Sequence, residues 1–279
     1  MCLLLHVLDK AGRLLSQAEG DDEIWLVHPK AYEAGDHIEI STDKEACHLV
    51  VQLGDAMPPV LCFLRGGKAT FEVPFDEAAS VYSPRAFAGE THYLTVRQAR
   101  PEECSGYRNL AFNVYDQKHS ETLFPHAMAN VETRNEYGFA VRNAIDGSKA
   151  NDNHGFWPYT SWGINQDPDA SMVVNFGRDV ITDRIVIYLR ADFPHDAWWT
   201  TGEVDFSDGS HLSLDFSKTG AAQEFTFPEK RINQIRLHSL VKADDPSPFP
   251  ALTGIEVWGR DLAVTGKDCS DRLLTFVVL

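Results

Sequence analysis

The stretch Val204–Phe216, VDFSDGSHLSLDF, alternates apolar and polar residues on both sides of an Asp-Gly dipeptide. An alternation with a period of two places successive side chains on opposite faces of a β-strand. Asp-Gly between two such runs is a strong signal for a tight hairpin turn. The stretch therefore predicts two antiparallel strands that each present one face to a core.

The same alternation recurs along the rest of the chain. In DRIVIYLR, residues 183–190, the side chains of Ile185, Ile187 and Leu189 share one face. A helical turn or two is predicted only over residues 136–145. Many short strands separated by turn residues are typical of β-sandwiches, so the fold class is predicted to be all-β. The predicted strands are 3–8, 23–28, 37–41, 47–53, 60–65, 69–73, 91–97, 109–114, 170–176, 183–190, 202–206, 211–216, 223–227, 232–238 and 254–258.

Charged residues, proline and glycine interrupt this pattern over residues 97–109, RQARPEECSGYRN. A chain of 279 residues is long enough for two ordinary domains. We therefore predict an N-terminal β-sandwich over residues 1–100 and a second β-sandwich domain over residues 101–279.

The composition excludes several classes of partner. The chain has 25 Lys and Arg against 41 Asp and Glu, a formal charge of −16, which repels nucleic-acid phosphates and anionic lipid surfaces. No apolar run approaches the ~18 residues of a membrane helix. The start, MCLLLHVLDK, lacks the basic region and cleavage site of a signal peptide. The five cysteines are widely spaced without a CxxC pair, so a cytoplasmic location is expected.

Two long connections between predicted strands carry most of the large aromatic residues. Residues 146–169 contain Trp157, Tyr159 and Trp162, and RADFPHDAWW, residues 190–199, ends in two tryptophans. Loops on a rigid β-scaffold are frequent positions for binding residues. In a sandwich, these two loops are able to meet at one end.

The second half of the sequence resembles the discoidin family. The motifs that carry the resemblance are RNAIDGSKAN, SMVVNFGRDVITDRIVIYLR, EVDFSDGS and LTGIEVWGRD, which follow in the family's order between residues 109 and 262. This family includes the factor five/eight C-type domains and bacterial carbohydrate-binding modules with a galactose-binding-like jelly roll. The resemblance implies that fold for the C-terminal domain, and a lectin-like, sugar-binding function.

The resemblance also implies a structural calcium ion. Its ligands would be Asp146 of AIDG, Asn151 and Glu256 of IEVWG, since oxygen ligands suit calcium. The usual family continuation after the Asp-Gly pair is replaced here by DGSKANDNHGFWPYTSWG, so the ligand set departs from the pattern. The alternative is that Asp146 only makes an Asx-type turn.

The residue types in the two loops suit noncovalent recognition of a carbohydrate. An aromatic plate packs against the C–H face of a pyranose, and charged side chains hydrogen-bond to its hydroxyl groups. Trp198 or Trp199 is predicted as one plate, and Trp157 or Trp162 as the other. Because adjacent residues on extended backbone point in opposite directions, at most one of Trp198 and Trp199 faces the ligand. The predicted polar partners are Arg190, Asp192, His195, Asp196 and His154.

Three alternatives remain open at this stage. The tryptophans are core residues in a purely structural interpretation, since large aromatic side chains are mostly buried. In a second alternative, Asp192, His195 and Asp196 are the acid–base groups of a carbohydrate-active hydrolase. In a third, the chain is an assembly subunit, and the apolar residues 272–279 pair with another copy in a homo-oligomer instead of forming a last strand of their own sandwich.

Overall fold

The computed structural model describes residues 1–191 and 197–262, and antiparallel strands dominate it. The prediction of an all-β chain of sandwich type is confirmed. The strands in chain order are β1 (Cys2–Leu8), β2 (Leu14–Asp21), β3 (Glu23–His28), β4 (His37–Thr42), β5 (Ala46–Gln52), β6 (Val60–Arg65), β7 (Lys68–Glu72), β8 (His92–Gln98), β9 (Arg108–Asn109), β10 (Leu123–Phe124), β11 (His126–Ala129), β12 (Trp162–Gly163), β13 (Met172–Leu189), β14 (Trp199–Phe206), β15 (His211–Asp215), β16 (Gln223–Lys242) and β17 (Ala251–Asp261).

Helical structure is short. The helices are α1 (Asp76–Ala79) and α2 (Pro101–Ser105), and single 3-10 turns cover Thr133–Asn135, Tyr137–Phe139 and Val141–Ile145. The last two turns lie within the stretch 136–145, where a helical turn was predicted. No helix in the described part of the chain is long and apolar enough to cross a membrane.

Two sheets form the N-terminal sandwich. One has the strand order β2-β1-β4-β7, and the other has the order β10-β6-β5-β8-β3. Alternate residues of each strand point between the sheets: Leu3, Leu5 and Val7 of β1 are fully buried, and so are Leu49 and Val51 of β5. The period of two in the sequence thus becomes the two faces of each sheet.

The C-terminal sandwich is built around two long strands. The strand order is β12-β17-β13-β16-β14-β15, with β11 added to β13 and β9 added to β17. Strand β13 shifts register between Asn175 and Val180, so its first part pairs with β11 and its second part with β17. A bulge of this kind lets one strand bend between two layers.

This bend corrects the predicted strand list. The predicted strands 170–176 and 183–190 fall largely on one bent strand, β13 (Met172–Leu189), and the predicted strands 223–227 and 232–238 both lie within β16. The predicted strand 109–114 is not formed beyond β9. Its backbone turns instead, because the side chain of Asn113 accepts a hydrogen bond from the amide of Tyr115 (3.0 Å) and donates one to the carbonyl of Pro125 (2.8 Å).

Residues 110–127 link the two cores. Tyr115 and Leu123 are buried in the N-terminal core, whereas Leu110 and Ala127 are buried in the C-terminal core. The hydroxyl of Tyr115 accepts a hydrogen bond from the Leu53 amide (3.1 Å). Strand β10 then pairs with β6, and β11 pairs with β13, so this segment hydrogen-bonds to both sandwiches.

A buried carboxylate holds the end of β17 in place. Asp261 ends β17, and its side chain accepts hydrogen bonds from Arg178 (2.5 Å) and Arg108 and lies 3.4 Å from His48 of the N-terminal sandwich. Burial by itself raises the pKa of Asp261, but the nearby His48 ring and the charges of Arg178 and Arg108 outweigh it. The pKa of Asp261 therefore lies below its ordinary value, and the carboxylate is charged at neutral pH.

Replacement of this carboxylate leaves two partly buried arginines, Arg108 and Arg178, without a counter-charge. We expect Asp261→Asn to lower the free energy of unfolding by about 3–5 kcal/mol at neutral pH, as measured by urea denaturation. Because the folded-state pKa is lowered, the contribution of Asp261 is present above the unfolded-state pKa of about 4 and is lost as the pH falls through the folded-state value. The stability of the wild type should therefore fall more steeply with acid than that of the variant.

Asp179→Asn is the matched control, because Asp179 makes an ion pair with Arg231 on the exposed surface (2.7 Å). That pair is expected to contribute less than about 1 kcal/mol. Equal losses in the two variants would contradict a fastening role for Asp261.

Candidate functional site

A cavity of about 150 Å³ opens at the end of the C-terminal sandwich where β13 and β12 stop. Two residues predicted as sugar ligands, Arg190 and His154, contribute to its wall. The structure thus brings together one residue from each of the two loops singled out in the sequence. The full lining is Thr133, Arg134, Phe139, His154, Gly163, Ile164, Asn165, Gln166, Arg190, Phe249, Pro250 and Ala251.

The buried residue Arg190 connects the end of β13 to the neighbouring loops through hydrogen bonds. Its backbone amide donates to the carbonyl of Ala251 (3.0 Å), which continues the pairing of β13 with β17. Its guanidinium donates to the hydroxyl of Ser161 (3.3 Å) and to the backbone carbonyl of Asn153. Arg190 therefore sets the position of the loop that carries His154.

The aromatic faces of the site come from residues other than tryptophan. The rings of Phe139 and His154 lie 6.5 Å apart at their centroids and within 25° of parallel. The guanidinium carbon of Arg134 lies 5.7 Å from the centroid of Phe139. Phe249 adds a third ring to the lining and is 43% exposed. An apolar face that is open to solvent is what a sugar ring needs for stacking.

The polar side of the cavity is held in strained backbone. Arg134, Asn165 and Gln166 have φ angles of 53°, 51° and 61°, in the left-handed region that non-glycine residues rarely adopt. Such residues cost about 1–3 kcal/mol each and are concentrated at ligand sites. The amide of Asn165 donates to the hydroxyl of Thr133 (2.9 Å), which holds this turn in place.

Two glycines that lie very close to neighbouring atoms shape the walls of the cavity. A Cβ atom at Gly138 would lie 2.2 Å from the backbone oxygen of Gly155, and one at Gly163 would lie 2.5 Å from the hydroxyl oxygen of Thr133. Only glycine fits at these positions. The amide of Ser161 also donates to the carbonyl of Gly138 (3.1 Å), so the loops before and after His154 are in direct contact.

The burial of the tryptophans corrects part of the sugar-binding prediction. Trp162 is 0% exposed and its indole donates to the carbonyl of Val131 (2.9 Å), and Trp199 is 1% exposed in β14. Both indoles fill the core, so neither is available as a stacking plate. Of the alternatives, Trp198 is half-buried against the same core, and Trp157 is 37% exposed but does not line the cavity.

Asp192, His195 and Asp196 lie outside the described residues. Their predicted roles as sugar ligands, or as the carboxylates and histidine of a hydrolase, stay predictions.

The predicted calcium ligands already have other partners. Asp146 lies 3.8 Å from Arg142 and accepts from the amide of Ser148 (2.7 Å), which is the Asx-type turn of the alternative interpretation. Glu256 pairs with Lys149 and accepts from the indole of Trp258 (2.6 Å).

The amide of Asn151, the third predicted ligand, lies against Gly220. Because a basic side chain accompanies each carboxylate, this set does not fit a calcium ion as it stands. A calcium site at Asp146, Asn151 and Glu256 stays a prediction.

Another cluster has metal-binding residue types but the wrong charge. In the described part of the chain, His48, Cys104 and Asp261 place one ligand atom each within 4.8 Å of one another. Asp261, however, is engaged by Arg178 and Arg108, and these two positive charges repel a cation. The cluster is therefore explained as the place where the ion pairs of Asp261 with Arg178 and Arg108 meet His48 of the N-terminal sandwich.

Sequence reasoning missed several lining residues of the cavity. Arg134, Phe139, Asn165 and Gln166 lie in short turns without a recognisable motif. One usable signal was the position of GINQDPD, residues 163–169, directly after Trp162 and before the start of β13. This turn follows β12, whose pairing with Ala251 and Leu252 of β17 places the polar turn residues beside Arg190, since the Arg190 amide also bonds to Ala251.

No family model matches the sequence, and no curated protein does. Among solved structures, the chain is similar to chitosan-binding module 1 of a chitosanase/glucanase from Paenibacillus sp. IK-5 (21% identity, 55% of this chain, 99% of that chain, TM-score 0.39). It is similar to the lectin domain of lectinolysin in complex with Lewis B antigen (18%, 56% and 98%, TM-score 0.41). It is also similar to the family 32 carbohydrate-binding module of C. perfringens NanJ in complex with galactose (20%, 47% and 91%, TM-score 0.36).

The buried position of Trp162 makes a prediction about stability. We expect Trp162→Phe to lower the free energy of unfolding by about 2–4 kcal/mol, because it leaves a void in the core and the Val131 carbonyl without its donor. Trp157→Phe should change it by about 0.5 kcal/mol or less. Urea denaturation of both variants tests the assignment, and similar stabilities would show that Trp162 is not a core residue.

Proposed function

We propose that this protein binds a carbohydrate noncovalently in the cavity lined by Phe139, His154 and Phe249. The observation that carries the proposal is the pairing of open aromatic faces with polar side chains on a rigid, strained frame. One pyranose ring has apolar faces and a rim of hydroxyl groups, and this wall offers a partner for each. The amides of Asn165 and Gln166 supply both donors and acceptors.

The charges at the site favour a neutral sugar. Arg134 forms a bidentate pair with Glu136 (2.5 and 2.8 Å), and Arg190 donates to Ser161 and to the Asn153 carbonyl. Each arginine near the cavity is therefore already engaged. A net charge of −16 further disfavours an acidic ligand.

The surroundings of the cavity favour an oligosaccharide. A groove of about 610 Å³ adjoins the cavity and shares Ile164, Gln166 and Pro250 with it. Lys242 and Asp245 also line the groove. The cavity suits one terminal ring, and the groove has room for the units that follow it.

The aromatic contribution is tested with a pair of phenylalanines of similar exposure. Phe249 lines the cavity and is 43% exposed, whereas Phe156 is 46% exposed and does not line it. We expect Phe249→Ala to weaken binding of the best oligosaccharide about tenfold or more, because one stacking face is lost. Phe156→Ala should leave the affinity unchanged.

The measurement is a glycan array followed by calorimetric titration of the best ligand, with galactose-, fucose- and glucosamine-containing oligosaccharides in the panel. If the folded wild type binds no glycan, the proposal fails. If both phenylalanine variants bind as tightly as the wild type, the site lies elsewhere.

A second prediction concerns the loop contact at Gly138. A Cβ atom in Gly138→Ala collides with the backbone of Gly155 and displaces the loop that carries His154. We expect sugar affinity to fall at least tenfold while the cooperative unfolding transition is retained. Gly66→Ala is the control, because a Cβ atom there meets nothing within 4 Å, although its backbone is left-handed like that of other turn glycines. Retained affinity in Gly138→Ala would contradict the role of this contact.

A further inference from the structure

The N-terminal sandwich has an open strand edge that carries exposed apolar side chains. Strand β3 is the last strand of its sheet, and in the described part of the chain only β8 pairs with it. On the outer face of β3, Trp25 is 62% exposed and Val27 is 53% exposed. Tyr93, which lies opposite Val27 on β8, is 47% exposed. Exposed apolar residues that lie together mark interaction surfaces, whereas singly scattered ones do not.

The backbone groups on the free edge belong to the same residues as the exposed side chains. The amide of Gln98 donates to the carbonyl of Asp22 (2.7 Å), one position before the first pair of the ladder between β3 and β8. Hydrogen-bonded and non-hydrogen-bonded pairs alternate in an antiparallel ladder. Every second residue of β3 therefore bonds to β8, and the others direct their N–H and C=O groups away from it. These outward residues are Glu23, Trp25 and Val27.

This edge lacks the features that usually block strand pairing. Natural edge strands are protected by lysines, prolines, inward-pointing charges or bulges. Glu23–His28 contains no lysine or proline, and its register with β8 continues without a shift over all six residues. Strand β2 of the facing sheet meets the inner side of β3, where the Ser16 hydroxyl lies 2.8 Å from Nδ1 of His28, and it forms no ladder with β3. The edge is therefore a template for another strand.

A second copy of the chain fits this edge because the edge is self-complementary. When two β3 strands pair antiparallel about a two-fold axis at Trp25, Glu23 lies opposite Val27 of the second copy, and Trp25 lies opposite its own counterpart. Each outward residue then meets an outward residue, so the three pairs exchange about six backbone hydrogen bonds. A register shifted by two residues places Glu23 opposite Pro29, which has no N–H to donate.

The same register brings matching faces together. Directly opposite residues of an antiparallel pair point to the same face, so the exposed side chains of Trp25 and Val27 from both copies form one outer surface. The two Trp25 residues lie ~5.5 Å apart at Cα, which is close enough for their indoles to pack. On the inner face, the buried Ile24 lies opposite the buried Leu26 of the second copy. The two five-stranded sheets thus become one sheet without an open β3 edge.

The charges at the two ends of β3 are complementary in this register. Asp21 and Asp22 precede Glu23, and Lys30 follows the end of the strand. The two-fold axis places the acidic start of each strand beside the Lys30 end of the other. The net charge of −16 opposes self-association at long range, but at physiological ionic strength salt screens charges beyond about 8 Å. The nearby opposite charges therefore contribute more to the contact than the distant like charges.

We propose that this protein forms a two-fold symmetric homodimer by antiparallel pairing of β3 with β3 of a second copy. The pairing uses the N-terminal sandwich alone and does not require a sugar in the cavity of the C-terminal sandwich. The dimer carries two such cavities, one in each copy.

Sedimentation equilibrium of the full chain tests the oligomeric state. The measured mass should rise from that of one chain towards that of two chains as the concentration increases through the micromolar range. Hydrogen–deuterium exchange tests the surface without a variant. The amides of Trp25 and Val27 should be protected only at concentrations where the dimer is populated. Those of Ile24 and Leu26, which bond to β8, should be protected at every concentration.

Charge substitutions at Val27 test the register. Val27→Glu places a second carboxylate opposite Glu23 of the other copy and should raise the dimer Kd at least tenfold, because like charges directly opposite each other repel. Val27→Lys places an ammonium group opposite the same carboxylate, so its dimer should be at least tenfold tighter than that of Val27→Glu. Val241→Glu is the matched control, since Val241 is also 53% exposed and lies on β16 of the other sandwich. It should leave the dimer Kd unchanged.

Several outcomes overturn the proposal. A monomer at every concentration leaves the β3 edge to a strand of a different protein. A dimer that Val27→Glu does not weaken uses another surface, such as the apolar residues 272–279. Equal weakening by Val27→Glu and Val27→Lys contradicts the pairing of Val27 with Glu23. An equal loss in Val241→Glu shows a general effect of added negative charge.

Discussion

The hydrogen bonds of Asp261 constrain much of this structure. A buried carboxylate needs compensating partners, and here they come from three places: Arg108 in β9, Arg178 in the bend of β13, and His48 in the N-terminal sandwich. The end of β17 is therefore fixed against the bend of β13 and against the other sandwich. Because β13 and β17 run side by side from this point to Leu189 and Leu252, their opposite ends are fixed as well. The cavity lies at those opposite ends.

The strand pattern was largely predictable because each sandwich buries one face of every sheet. Under that constraint a period of two has to appear in the sequence, and it does in β1, β5 and β14. The long strands β13 and β16 were divided in two, since a bulge breaks the alternation without breaking the strand. Residues 109–114 were wrongly predicted to form a strand for a different reason. Their apolar residues supply two different cores, which mimics the alternation of a strand.

The position of the candidate site was more predictable than its composition. Arg190 was predicted to lie at the end of a strand because it directly follows the clear alternation of β13, and the structure places it beside His154 in the wall of the cavity. Trp162 and Trp199 were wrongly predicted as stacking plates. The sequence shows that a tryptophan is large and apolar, but it does not show which way the backbone turns its ring. Trp162 lies in the two-residue strand β12, whose pairing with β17 turns the indole into the core. No short-range pattern encodes that pairing.

The cavity depends on backbone contacts as much as on side chains. Arg134 and Asn165 have left-handed backbone conformations although neither is glycine. Glycine is required at positions 138 and 163, because a Cβ atom at either position would collide with a neighbouring segment of the chain. A strained turn persists only where contacts with its surroundings hold it in place. Here the hydroxyl of Thr133 accepts a hydrogen bond from the Asn165 amide, and Gly163 packs against the same Thr133 side chain. The strained turns lower the free energy of unfolding, and the packing of the core beneath them offsets this loss. Left-handed non-glycine residues also occur outside the cavity, at Phe87 and Ser239 for example, but Arg134, Asn165 and Gln166 share one cavity wall, so the shape of that wall depends on these strained turns.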